Sequence, residues 1–135
     1  MKLDPLGDRP SIVVAAAIIE RDGRWLMARR LKGTHLEGLW EFPGGKADPG
    51  ETLEACLLRE LAEELGVEGR VAGLRWSTTH DYPSKRVELH FYDCTIAGEP
   101  RPLLGQELRW VSASELVELP LPEADAGLVA LLTQR

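Results

Sequence analysis

Leu57, Leu61 and Leu65 recur every four residues, and Leu58 widens the stripe they form. That spacing predicts an amphipathic helix over about Thr52 to Leu65, with one apolar face to bury. Thr52 suits its N-cap and Gly66 its C-terminal stop. At about 100° per residue, Glu60, Glu63 and Glu64 fall within roughly one quadrant, and the leucines point elsewhere. One helix thus carries a packing face and a separate acidic face.

The segments around it read mostly as strands. Ile12 to Ile19 is an apolar, β-branched run that suits a buried strand. Asp22-Gly23 then reads as a hairpin turn into Trp25 to Ala28. Arg29 to Gly38 is a polar loop. Leu39 to Phe42 is a short strand ending at Pro43-Gly44-Gly45, where a turn is expected. Arg70 to Thr79 and Arg86 to Ala97 are strands joined through Pro83-Ser84-Lys85, and Leu108 to Val111 is another. Ser112 to Val117 reads as a helical turn, and Glu123 to Thr133 as a terminal helix. Strand and helix do not alternate as repeated βαβ units. The order predicts an α+β fold, a mixed sheet sandwiched between helices. At 135 residues the chain suits one domain, 1–135.

Composition narrows the partners. Sixteen basic and 22 acidic residues give a net charge of −6, which argues against a general grip on nucleic acid polymers or anionic membranes. The apolar run Ile12 to Ile19 is far shorter than the roughly 20 residues of a membrane helix. Met1-Lys2-Leu3-Asp4-Pro5 makes a poor start for an export signal. Two cysteines, Cys56 and Cys94, cannot build a disulfide framework and read as reduced packing residues of a cytoplasmic protein. The sequence leaves monomer and homodimer open.

Charge on an outer helix face is commonly a solvated surface. Here, however, Arg59 is the only base from Glu51 to Glu68, against six glutamates. Like charges on adjacent turns repel, and two of them near the helix C-terminus also oppose the dipole. Bound divalent cations remove that penalty. Grouped carboxylates without His or Cys beside them suit Mg²⁺ or Mn²⁺ over Zn²⁺. Gly44-Gly45 allows close approach of backbone to a ligand. Arg29, Arg30 and Lys46 are candidates to hold phosphate oxygens.

These residues resemble the Nudix family. Gly45, five residues, Glu51, seven residues, then Arg59-Glu60-Leu61-Ala62-Glu63-Glu64-Leu65-Gly66-Val67 matches the Nudix box in full over 23 residues. Trp40-Glu41-Phe42-Pro43-Gly44-Gly45-Lys46, Gln106 to Val111 and Leu119 to Leu128 are similar to the MutT-like branch, the (deoxy)nucleoside triphosphate diphosphatases. The likeness runs from about Ile12 to Leu132. It implies a Nudix fold, with the box as a loop–helix–loop, and hydrolysis of a nucleoside diphosphate linked to another group with Mg²⁺ or Mn²⁺. By position, Glu60, Glu63 and Glu64 are the implied metal ligands, with the Gly45 carbonyl as a further one. Arg59 is implied to orient the glutamates by ion pairing, with Glu51 as one partner. Glu60 and Glu63 are both candidates for the base that activates water. In this branch the products are nucleoside monophosphate and pyrophosphate. Oxidised or modified triphosphates such as 8-oxo-dGTP are candidate substrates, and ADP-ribose, NADH and dinucleoside polyphosphates are the alternatives. A further alternative is a non-catalytic Nudix-like binding module; such domains typically lose box glutamates, and this chain keeps all of them. One departure is Leu104, where the branch often has an acidic metal ligand; Glu107, three residues on, is the candidate substitute.

Base recognition is expected outside the box. Tyr82 falls where the branch has an aromatic near the base, and stacking there is worth on the order of 1–3 kcal/mol. Asp125 lies where related proteins hold Asn or Asp against the base edge. When ionised it only accepts, which suits cytosine N4 or the protonated N7 of 8-oxoguanine. His80 and His90 read as structural, and Trp25, Trp40, Trp76 and Trp110 as core or sheet-packing residues.

Overall fold

The computed structural model describes residues 10–134. Met1 to Pro5, read above against an export signal, lies outside the described residues. Strands β1 (Ser11–Arg21), β2 (Arg24–Arg29), β3 (Trp40–Glu41) and β4 (Gly44–Lys46) precede helix α1 (Leu53–Leu65). Strands β5 (Glu68–Tyr82), β6 (Lys85–Ala97) and β7 (Leu108–Val111) follow, then α2 (Ala113–Glu118), a single 3-10 turn (Glu123–Asp125) and α3 (Ala126–Thr133).

The strands form a seven-stranded mixed sheet. Its main path runs β3-β2-β1-β6-β5, with β4 on β1 and β7 on β2. The parallel pair is β1 with β6, from Ser11↔Arg86 to Ile19↔Cys94. The two longest strands, β5 and β6, pair antiparallel from Glu68↔Ala97 to Tyr82↔Lys85, with bulges between Val71 and Gly73 and between Leu74 and Trp76.

Strand alternation sends β1 into two cores. Ala15, Ala17 and Ile19 face α1, packing with Cys56, Leu57, Leu61, Leu65, Tyr92 and Cys94. Ala16 and Ile18 face the other way, into a cluster with Trp25, Trp40, Phe42, Phe91, Leu116 and Leu128. The sheet is thus sandwiched between α1 on one face and α2 with α3 on the other, the α+β arrangement expected. Among the described residues no helix is long and apolar enough to cross a membrane. Both cysteines are buried free thiols, and burial raises Cys56 to about 11 and Cys94 to about 12.

Helix α1 has the expected bounds and caps. The Thr52 side chain accepts from the Ala55 amide at its start, and the Gly66 amide donates to Ala62 O at its end. Helix α2 has a full capping box between Ser112 and Glu115. Two local readings need correction. The expected turn at Pro43-Gly44-Gly45 contains strand β4, paired Ala15↔Gly45 and Ala16↔Gly44 with β1. The terminal helix also begins three residues late, because Glu123–Asp125 form a 3-10 turn.

Gly44 explains the first correction. A Cβ there would lie 2.1 Å from the Ala15 carbonyl oxygen and 2.7 Å from the Ala16 Cα. Both are backbone atoms of a buried strand and cannot swing aside. Gly44→Ala is expected to destabilise the protein by at least about 2 kcal/mol, read by chemical denaturation; a midpoint equal to that of the parent would refute this contact.

Candidate active site

The box glutamates gather around one guanidinium. Arg59 donates from Nε and Nη2 to the two carboxylate oxygens of Glu51 at 2.7 and 2.9 Å. Its Nη1 reaches Glu60 Oε1 at 2.9 Å and Glu63 Oε2 at 3.3 Å, and Nη2 also donates to Lys46 O at 3.2 Å. Glu51 accepts the Asp48 amide as well. The Arg59 hydrogen bonds hold the Glu51 carboxyl at about 2, and Glu51 above all keeps Arg59 protonated. Arg59 and Glu51 therefore staple the loop before α1 to the acidic face of α1.

Glu60 lies against the backbone of β4. A Cβ on Gly45 would sit 2.4 Å from the Glu60 Cδ. That carboxylate is the flexible end of a side chain, so it can give way. Gly45→Ala is expected to keep the fold and displace Glu60, lowering turnover by roughly 10–100-fold. Steady-state kinetics beside a melting curve check this; unchanged turnover would refute it. The Gly45 carbonyl also accepts from the buried Cys56 thiol at 3.5 Å.

Glu64 is the perturbed member. Burial, then the neighbouring charges of Glu60 and Glu41, raise it to about 8, and the Gly44 amide opposes them. Its Oε2 is buried without a hydrogen-bond partner. Among the described residues no three carboxyl, imidazole or thiol groups already close around one point; Arg59 stands between Glu60 and Glu63 instead. An orphaned carboxylate oxygen beside further oxygen donors fits a hard divalent cation.

A cavity of about 390 Å³ opens beside this cluster. Its walls include Gly44, Gly45 and Lys46 from β4, Tyr82 from β5, and Asp125 from the 3-10 turn. Ile12, Val14, Val87, Leu89 and Phe91 give it an apolar floor. Asp125 is only 4% exposed, and burial with the nearby Glu41 raises it to about 7. The Tyr82 ring is held edge-on by His35 at 4.9 Å and by His80 at 4.6 Å. His90 bonds Ser77 through Nδ1. Trp25 and Trp40 are buried, and Trp76 and Trp110 are half-buried.

The remaining candidates are placed as follows. Arg30 lines the cavity but donates to Glu41 Oε1 at 2.9 Å and to the His35 carbonyl. Arg29 points to the Gly38 carbonyl and, at 3.5 Å, to Glu107. Glu107 faces Arg29 because β7, which it precedes, pairs with β2. Leu104 is half-exposed, with relative exposure of 50%.

Sequence reasoning passed over Glu41. It is a charged residue between the buried aromatics Trp40 and Phe42, and that interruption was the available signal. Burial raises its pKa, which its partner Arg30 opposes. His35, Thr34 and Lys85 also line the cavity and carried no sequence signal, since they sit in polar loop or turn segments.

The NUDIX domain family model matches residues 14–131. The chain belongs to the Nudix hydrolase family. It is 40% identical over 119 residues to the CTP pyrophosphohydrolase of Escherichia coli, covering 87% of this chain and 88% of that protein. It is also 40% identical over 124 residues to the 8-oxo-dGTP diphosphatase of Haemophilus influenzae, covering 90% and 91%. Among solved structures, a MutT Nudix hydrolase from Burkholderia pseudomallei superposes with a TM-score of 0.77 at 32% identity, covering 94% of this chain and 100% of that one. Nudix hydrolases generally need a divalent metal, and the acidic face of α1 is where this chain offers oxygen ligands.

Proposed function

We propose that this Nudix hydrolase cleaves a (deoxy)nucleoside triphosphate, normal or oxidised, to the monophosphate and pyrophosphate. The carrying observation is the junction of two sites: the cavity with Tyr82 and Asp125 shares Gly45 and Lys46 with the carboxylate cluster. A base seated on the apolar floor leaves its 5′ phosphates at that junction.

In this reading Glu60, Glu63, Glu64 and the Gly45 carbonyl hold the divalent cation, Mg²⁺ or Mn²⁺. When bound, the cation neutralises polyphosphate charge and lowers the pKa of water. Glu60 or Glu63 accepts the proton of the attacking water. Arg59, locked by Glu51, sets the rotamers of both. Lys46 holds a phosphate oxygen, and Tyr82 stacks on the base. Asp125 titrates near neutrality, so its carboxyl accepts when ionised and donates when protonated. That suits cytosine N4 as well as 8-oxoguanine, the bases that the two named relatives' triphosphates carry. Arg30 and Glu107 enter only after leaving Glu41 and Arg29.

The test is product analysis with a divalent cation and a substrate panel: the normal and 8-oxo nucleoside triphosphates, 5-methyl-dCTP, ADP-ribose, NADH and diadenosine polyphosphates. Monophosphate plus pyrophosphate from one triphosphate supports the reading and names the base. Cleavage confined to ADP-ribose, NADH or a dinucleotide overturns it.

A further inference from the structure

Lys85 has no part in the reading above, yet it lines the same cavity. Strand β1 separates it from Lys46. Val14 pairs with Lys46 on one side of β1, and Ile12 pairs with Val87 on the other. Val14, Ile12 and Val87 all line the cavity. Lys85, two residues before Val87 on β6, therefore lies on the cavity face as well. The two lysines lie on the strands either side of β1, both in the cavity wall.

Carboxylates are present in the cavity, Glu41 and Asp125 among its lining residues. Among the described residues neither lysine is paired with one, whereas Arg30 is paired with Glu41 at 2.9 Å and Arg86 with Asp81 at 2.8 Å. Burial, then Lys46 and Arg30, lower the proton affinity of Lys85. Burial, then Lys85, Arg30 and Lys46, do the same to His35. In a chain with a net charge of −6, two lysines without an ion-pair partner in one cavity wall suit an anionic ligand.

We propose that Lys85 is a second phosphate-binding residue, reaching from the β5–β6 hairpin to the nucleotide phosphate across β1 from Lys46. This rests on the nucleotide reading of the cavity. Lys85 grips the 5′ phosphate rather than the base, so it sets affinity for phosphorylated ligands over the bare nucleoside. Held by Lys46 and Lys85 together, the phosphate chain is aligned against the carboxylate cluster.

The experiment measures inhibition of hydrolysis by a nucleoside, its 5′-monophosphate and its non-hydrolysable 5′-triphosphate analogue. It uses the wild-type enzyme, Lys85→Gln and Lys85→Arg, each checked by melting temperature. In Lys85→Gln, binding of both phosphorylated ligands is expected to weaken at least about 10-fold, with nucleoside binding unchanged. Lys85→Arg is expected to restore most of the loss. Equal losses for nucleoside and nucleotide would overturn the proposal in favour of a contact to the base, and no loss for either would overturn it outright. A wild-type enzyme that neither cleaves nor binds any nucleotide would instead overturn the reading of the cavity itself.

Discussion

Glu63→Gln is expected to leave the fold intact and to cut turnover by at least about 100-fold. Glu63 lies on the exposed side of α1, with its side chain 57% exposed, and its ion-pair contact is Arg59 at 3.3 Å. Little packing is lost when that charge is removed, so the melting temperature should move by only a degree or two. The chemistry stands differently. Glutamine keeps one oxygen and nearly the same volume, but it cannot take a proton from water and is a weaker ligand for a hard cation. Steady-state kinetics and a melting curve on the same preparation separate the two effects. A variant with near-full turnover would remove Glu63 from the site. A variant that no longer folds would show that Glu63 is structural.

The second large effect is the coupling of divalent-cation binding to pH. Glu64 sits at about 8 in the metal-free protein, so below that pH it carries a proton that a cation must displace. Apparent affinity for the cation is expected to rise about tenfold per pH unit up to about pH 8 and then level off. Between pH 6 and pH 8 the difference is roughly 50-fold, because Glu64 is still half protonated at the upper end. Calorimetry in two buffers of different ionisation enthalpy counts the proton released. Stability follows the same sign. The folded-state pKa is raised above the carboxylate's unfolded value, so the folded chain binds more protons between about pH 4.5 and pH 8. The metal-free protein therefore loses stability as pH rises through that window, and added divalent cation restores more at pH 9 than at pH 6. A pH-independent affinity would show that Glu64 is no ligand.

The parts of this molecule that were legible in advance are those whose signal is local. The Leu57, Leu61 and Leu65 stripe, the Thr52 cap and the Glu60, Glu63 and Glu64 quadrant all follow from one helical period, and α1 has the expected face and bounds. Strand β4 was not legible, because Gly44 and Gly45 carry no side-chain pattern. They are glycines because the β1 backbone and the Glu60 carboxylate press against them, and those contacts come from distant segments. The parallel pairing of β1 with β6 is likewise tertiary, since strand patterns do not state their neighbours. Glu41 stayed unremarked because its pairing with Arg30 and its place in the cavity wall arise only in the folded chain. Asp125 was recognised through a resemblance, but its pKa near neutrality depends on burial and on Glu41. The glutamates could be read from spacing alone. The fate of Arg29 and Arg30, turned towards Glu107 and Glu41, could not.

The end of α1 is completed by residues far along the chain. Arg101 N donates to Leu65 O, Leu103 N to Glu64 O, and the Gln106 side chain to Glu64 O at 3.0 Å. Gln106, only 7% exposed, spends its other amide atom on the Leu104 amide. During synthesis, α1 emerges from the ribosome well before these partners do. Its last carbonyls stay with water until residues 101–106 arrive, and a nascent chain stopped short of Arg101 carries every box glutamate without a finished support for Glu64. The end of α1 that carries Glu64 is therefore finished only after residues 101–106 have been made, long after the glutamates themselves.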